Sequence, residues 1–126
     1  MKYLFSSIIL LTMLNLNALA AEPTCHSGNP PYCKYIGKVN RIYVNADNLM
    51  LLYFDTDLPS EVADSAGYNV SKYSAAAFSV DQNPEFAKML YSTALAAQAS
   101  NRDVTIQMRG STWGYLKIDR IWLDAP

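Results

Sequence analysis

The chain has 126 residues, of which 10 are basic and 11 acidic, and 51% are hydrophobic. So even a charge balance leaves no basic face for neutralising phosphates, which excludes nucleic-acid binding as the main activity. The length suits one domain whose core is adequate but not large, so a crosslink or a partner subunit would add useful burial.

Residues 1–20 read as a secretory signal peptide. Met1 and Lys2 give a positive start, residues 3–16 form a mostly apolar run containing Ser6 and Ser7, and Ala18-Leu19-Ala20 fits an A-x-A cleavage site. A membrane anchor fits less well, because the run is short and ends in Asn15, Asn17 and small residues instead of basic ones. Nothing later in the chain could span a bilayer. Cleavage after Ala20 removes one lysine, leaving 9 basic against 11 acidic residues and a net charge of about −2. The predicted location is secreted or periplasmic.

Both cysteines follow at once, in CHSGNPPYC. An exported chain meets an oxidising compartment, so Cys25 and Cys33 are expected to form a disulfide. The alternative is a metal held by Cys25, His26 and Cys33, but that set is one ligand short and fits no common zinc spacing; neither a metal nor a cofactor is expected. Residues 21–36 are read as a disulfide-loop segment ahead of a domain spanning 37–126.

From Gly37 the composition turns β-branched and aromatic. Two such runs, 38–44 and 49–55, flank Asn45-Ala46-Asp47-Asn48, which predicts a hairpin whose second strand is apolar on both faces and therefore central. Residues 58–74 lack a sustained period and read as a long loop. A third strand, 75–80, leads to the best-marked boundary in the sequence: Asn83 as helix cap, Pro84 in the first turn and Glu85 at the positive end of the dipole. The helix should run to Ser100, with Asn101 supplying a left-handed stop. A fourth strand, 104–109, alternates cleanly, with Val104, Ile106 and Met108 on the inner face. In the fifth, 115–123, Leu116 and Ile118 have one parity and Ile121 and Leu123 the other, so a bulge near Asp119-Arg120 is expected to return both pairs to one face.

The expected fold is mainly β with one long helix: a five-stranded OB-fold barrel with the helix between strands 3 and 4. On the stretch NPEFAKMLYSTALAAQASNRDVTIQMRGSTWGYLKIDRIWL the chain resembles the small secreted OB-fold proteins related to the B subunits of AB5 toxins, especially the subtilase-cytotoxin and pertussis-like group. The likeness covers residues 37–123 in topology, and in wording chiefly the helix, the fourth strand and the KIDRIWL ending. It implies a homo-oligomeric ring, usually of five subunits, that recognises cell-surface glycans and carries a separate catalytic A subunit. The chain departs from that group in having Ser111-Thr112-Trp113 where a cysteine often precedes the last strand.

The helix itself raises the question of partners, because Phe86, Met89, Leu90, Tyr91, Leu95 and its many alanines leave no clearly polar side. One expectation is that Phe86, Leu90 and Tyr91 close the barrel while Ala94 and Ala97 face another subunit. The other is a monomer, with the Cys25–Cys33 segment and the 58–74 loop covering the helix.

Catalytic groups are scarce. His26 is the only histidine and sits in the cysteine loop, and the carboxylates Asp55 and Asp57 share one side of a strand end. No enzymatic role is expected. Binding is better supplied, since OB-folds take ligands on the face of strands 2 and 3 and through the loops joining strands 1–2 and 4–5. Those loops hold Asn45, Asp47 and Asn48, and Ser111, Thr112, Trp113 and Tyr115. Such a set of amides, hydroxyls, a carboxylate and aromatic rings suits a sugar, whose C–H faces lie on rings while its hydroxyls need donors and acceptors. Trp113 is either that platform or a plug for one barrel end. Tyr43 and Tyr53 are read as a cross-strand pair that stabilises the sheet.

Overall fold

The computed structural model describes residues 20–126. Its elements are β1 (Thr24–His26), β2 (Tyr32–Lys38), β3 (Ile42–Val44), β4 (Leu49–Tyr53), α1 (Ser60–Ser65), β5 (Ala75–Ser79), α2 (Pro84–Ser100), β6 (Asp103–Thr112) and β7 (Tyr115–Leu123), with one 3-10 turn, Val80–Gln82, before α2. Except for Ala20, the predicted leader lies outside the described residues. No helix among the described residues is long and apolar enough to cross a membrane.

The fold is mainly β with one 17-residue helix, in the predicted place between the third and fourth of the predicted strands. Its start is made as the sequence indicates: Asn83 Oδ1 accepts the Phe86 backbone N–H at 3.1 Å and Pro84 occupies the first turn. Asn101, at φ 52°, ends it in the left-handed region.

All seven strands form one sheet in the order β1-β2-β6-β7-β5-β4-β3, antiparallel except for β5 and β7. The predicted five strands become seven for two reasons. First, the cysteine segment is itself a hairpin, with Cys25 directly opposite Cys33. Second, predicted strand 1 is broken. Lys38 is the last residue paired with β6, opposite Asp103, and Ile42 is the first paired with β4, opposite Leu52. Between them the Asn40 carbonyl accepts from Gln98 Nε2 at 3.3 Å, while Lys38 Nζ donates to the Asn101 carbonyl at 2.6 Å, so the break is tied to the C-terminal end of α2.

Although β2 and β3 lie towards opposite ends of the sheet, four Cα steps join them, a reach of at most about 14 Å. The sheet is therefore strongly curled, but no continuous ladder closes it into a barrel. Because β2 runs from residue 32 to 38, the boundary expected between 36 and 37 falls within a single strand.

The bulge predicted in the last strand is present: Gln107 pairs with Arg120 and Met108 with Ile118, skipping Asp119. A second irregularity, between Met108 and Ser111, passes through Gly110 at φ 74°. With the Asp119 bulge, Leu116, Ile118, Ile121 and Leu123 all pack on the main core.

Four residues of α2 are buried in that core: Ala87 and Leu90, then Ala94 and Ala97, the last three at 0% exposure. This corrects the expectation that Ala94 and Ala97 face another subunit. Their small side chains let the helix backbone come close to its own sheet. The face turned outward instead carries Met89, 61% exposed, with Tyr91 and Leu95. Phe86 does pack on the core, edge-on to Phe78 at 4.9 Å between ring centres.

Tyr35 is the buried polar anchor of β2. Its hydroxyl donates to the Lys38 carbonyl at 2.9 Å and accepts the Asp55 backbone N–H at 3.3 Å. Burial, then the nearby Asp55 charge, pushes its phenol well above the usual tyrosine range. A group raised in the folded state adds stability that is fully present below its unfolded pKa of about 10 and lost as pH rises through the folded value. Urea unfolding at stepped pH should therefore show stability falling above about pH 10, and Tyr35→Phe should flatten that fall. At pH 7 the same variant should cost about 1–2 kcal/mol, because a buried donor and acceptor lose their partner.

Candidate functional site

On its outer face the sheet carries a second, smaller cluster, separate from the main core. Leu49, Leu51, Ala75 and Ala77 are buried there by Tyr53 and Tyr115. Strand alternation produces this arrangement, since the neighbouring residues Met50, Leu52, Ala76 and Phe78 point the other way into the main core. Tyr43 lies directly opposite Leu51, which is opposite Ala77, which is opposite Lys117. Tyr53 is opposite Ala75. The small alanines form a floor, and the aromatic rings stand around it.

Two cations lie over those rings. The Arg41 guanidinium carbon is 4.7 Å from the centre of the Tyr53 ring, and Lys72 Nζ is 5.1 Å from that of Tyr115. At exposed positions such contacts contribute about 0.5–1 kcal/mol each. Neither cation has a carboxylate within salt-bridge distance among the described residues, and nor does Lys117. The Tyr115 phenol is held above its ordinary value first by burial, then by the neighbouring Tyr53 and Tyr43.

The predicted loop residues divide between building and display. Asn45 builds: its Oδ1 accepts the backbone N–H groups of Asp47 at 2.9 Å and Leu49 at 3.1 Å, shaping the β3–β4 turn. Asn48 also has a structural task, with φ 64° and a carbonyl that accepts Val80 N–H at 2.7 Å. Asp47 is exposed at the tip.

In the other loop, Ser111 pairs with Leu116 and Thr112 with Tyr115, leaving Trp113 and Gly114 as a two-residue turn at φ 55° and 82°. Two positive φ values match a type I′ hairpin turn, which usually takes Asn-Gly. A tryptophan in that first place costs about 1–2 kcal/mol in backbone preference. Gly114 secures the tip by accepting the backbone N–H groups of Ser71 at 2.9 Å and Lys72 at 3.0 Å. Trp113 is 47% exposed, so it does not plug the sheet.

The two loops do not meet. Leu49, after the first, is opposite Ser79 at one end of β5, whereas Leu116, after the second, is beside Ala76 near the other end. Three strand steps, about 10 Å, lie between them. The tyrosine face fills that interval, bringing in Arg41, Tyr43, Tyr53, Lys72 and Lys117, none of which the sequence reading assigned to a ligand. Tyr43 and Tyr53 do lie on one face, as a diagonal pair across β3 and β4. A usable signal was present in the alternation of Tyr43, Leu51, Tyr53 and Tyr115 with inward residues, combined with the alanines of strand 3.

The remaining chemistry-bearing residues lie elsewhere. Cys25 and Cys33 form the predicted disulfide, which uses both sulfurs and leaves no Cys25–His26–Cys33 metal set. His26 stacks on Tyr32 with 4.7 Å between ring centres. Asp55 is bonded by the Asn40 side-chain amide and by the Ala21 backbone nitrogen. Arg120 pairs with Asp119 at 2.8 Å, as expected of a solvated strand face. No protein-family model, curated protein or solved structure matches the chain.

Proposed function

We propose that this is a secreted or periplasmic binding protein that recognises a glycan on the tyrosine face, in an OB-fold-like arrangement resembling AB5 toxin B subunits. The observation that carries the reading is the grouping of Tyr43, Tyr53 and Tyr115 around the Ala75 and Ala77 floor, beside three cations without carboxylate partners among the described residues. Rings offer a sugar's C–H surface a place to stack, while phenols and cations supply donors for its hydroxyls. Counting β2 and β3 as one broken strand gives the OB order, with the face on strands 2 and 3 between the two connecting loops. The disulfide supports an oxidising compartment.

Glycan-array binding tests this. Wild-type protein should bind a restricted set of glycans; Tyr53→Ala should weaken binding about tenfold or more, the equivalent of one lost stacking contact of about 1.4 kcal/mol. Trp113→Ala should have a smaller effect, because Trp113 lies at the rim. Silence across the array would defeat the glycan reading.

A second reading is a protein-interaction module, favoured by the helix face. Tyr91 and Lys88 of α2, with Val44, Met50, Val80 and Pro84, line an apolar groove of about 330 Å³ beside β3. Oligomerisation, including the five-membered ring and its separate A subunit, would use this side and the exposed Met89 and Leu95 in place of Ala94 and Ala97.

A further inference from the structure

We infer that Ala21 is the processed amino terminus and that the fold provides a seat for its α-ammonium, with Asp55 as the counter-charge. The inference rests on cleavage after Ala20, which the A-x-A pattern at residues 18–20 indicates, and on three independent contacts at Ala21. Its backbone nitrogen lies 3.4 Å from Asp55 Oδ2. Its carbonyl accepts the Thr56 N–H at 3.0 Å. Its methyl group faces Gly37, where a β-carbon would come within 2.6 Å of both the Ala21 Cβ and the Tyr35 hydroxyl. Gly37 therefore clears the space that residue 21 fills.

The seat is oriented as well as shaped. The Asn40 side-chain amide donates to the other Asp55 oxygen and leaves Oδ2 directed at Ala21. No lysine, arginine or histidine lies within salt-bridge distance of Asp55 among the described residues. Ala20 is exposed, so the scissile bond stands at the surface where the held chain begins.

Hydrolysis of the Ala20–Ala21 peptide bond consumes one water, giving a carboxylate on Ala20 and an ammonium on Ala21. A neutral N–H facing a carboxylate is thereby replaced by a full positive charge, and the contact becomes an ion pair. The charged group on that nitrogen is the Asp55 carboxylate beyond β4; the Tyr35 hydroxyl of β2 is bonded to the Asp55 backbone N–H, and Glu22 is next along the chain. Because the pairing raises the amino pKa, its stabilisation is fully present below the unfolded value of about 7.7–8.0 and is lost as pH rises through the folded value.

Three preparations test this: the exported protein, a chain released in vitro to begin at Ala21, and a chain carrying Gly-Ser ahead of Ala21. The in vitro chains are made with Asp55 and with Asp55→Asn. The exported protein should have the mass of residues 21–126. By NMR titration the Ala21 amino group should have a pKa above the ordinary range, returning to it in Asp55→Asn. At pH 6.5, Asp55→Asn should lower the Tm of the Ala21 chain by about 2–4 °C and that of the extended chain by less. An exported mass beginning at another residue, an ordinary amino pKa, or equal Tm losses in both chains would overturn the assignment.

Discussion

Replacing Ala94 with leucine is expected to lower the free energy of unfolding by about 1–3 kcal/mol, while leaving the mass of the particle in solution unchanged. Ala94 is 0% exposed within its own chain, on the helix stripe that also buries Ala87, Leu90 and Ala97. An added isobutyl group must push the helix from the sheet or force side chains off their rotamers, and close-packed interiors resist both. Ala97→Leu should behave alike, whereas Ala96→Leu, one position away on the exposed side, should be nearly neutral. Urea denaturation measures the cost, and sedimentation velocity measures the mass. If Ala94→Leu unfolded as wild type but altered the mass, the alanines would be forming contacts between subunits after all.

Removing the disulfide should have a comparable effect. Cys25 and Cys33 are separated by 8 positions, a ring short enough that the chain-entropy contribution is roughly 2–3 kcal/mol. The bond also fixes β1, a three-residue strand whose only sheet partner among the described residues is β2. Cys33 is fully buried, and β2 in turn pairs with β6 along six positions. The Cys25→Ser, Cys33→Ser double variant should thus lose about 2–3 kcal/mol in urea unfolding, and reduction of the wild-type protein should reproduce that loss. Equal stability with and without the bond would mean that the ladder alone holds β1.

Much of this architecture was legible in the sequence because it depended on local rules. The helix start at Asn83-Pro84, its stop at Asn101, the bulge at Asp119 and the disulfide each depend on residues close together in the chain. What the sequence left hidden was non-local. That 38–44 divides between two partners follows from β6 and β4 competing for its two halves, and no property of Val39-Asn40-Arg41 alone announces it. The helix was misread for a related reason: alanine is both a strong helix former and the residue that permits close backbone approach, so only the sheet beneath decides which role it has. The turns at 45–48 and 113–114 lie where the sequence indicates, but the face between them depends on three tyrosines that are distant in sequence, 43, 53 and 115, brought to one face across four strands.

The sheet order also governs when the molecule can be completed. Cys33 on β2 finds its β6 neighbour at Met108, 75 positions later, so among the described strands the first long one has only the short β1 beside it until residues 103–108 have been synthesised. Non-local pairing of this kind slows folding. A nascent chain arranged in this way holds β2 in reserve: β3, β4 and β5, consecutive in the chain, can pair first, and the sheet becomes one piece only when β6 and β7 arrive to bridge them.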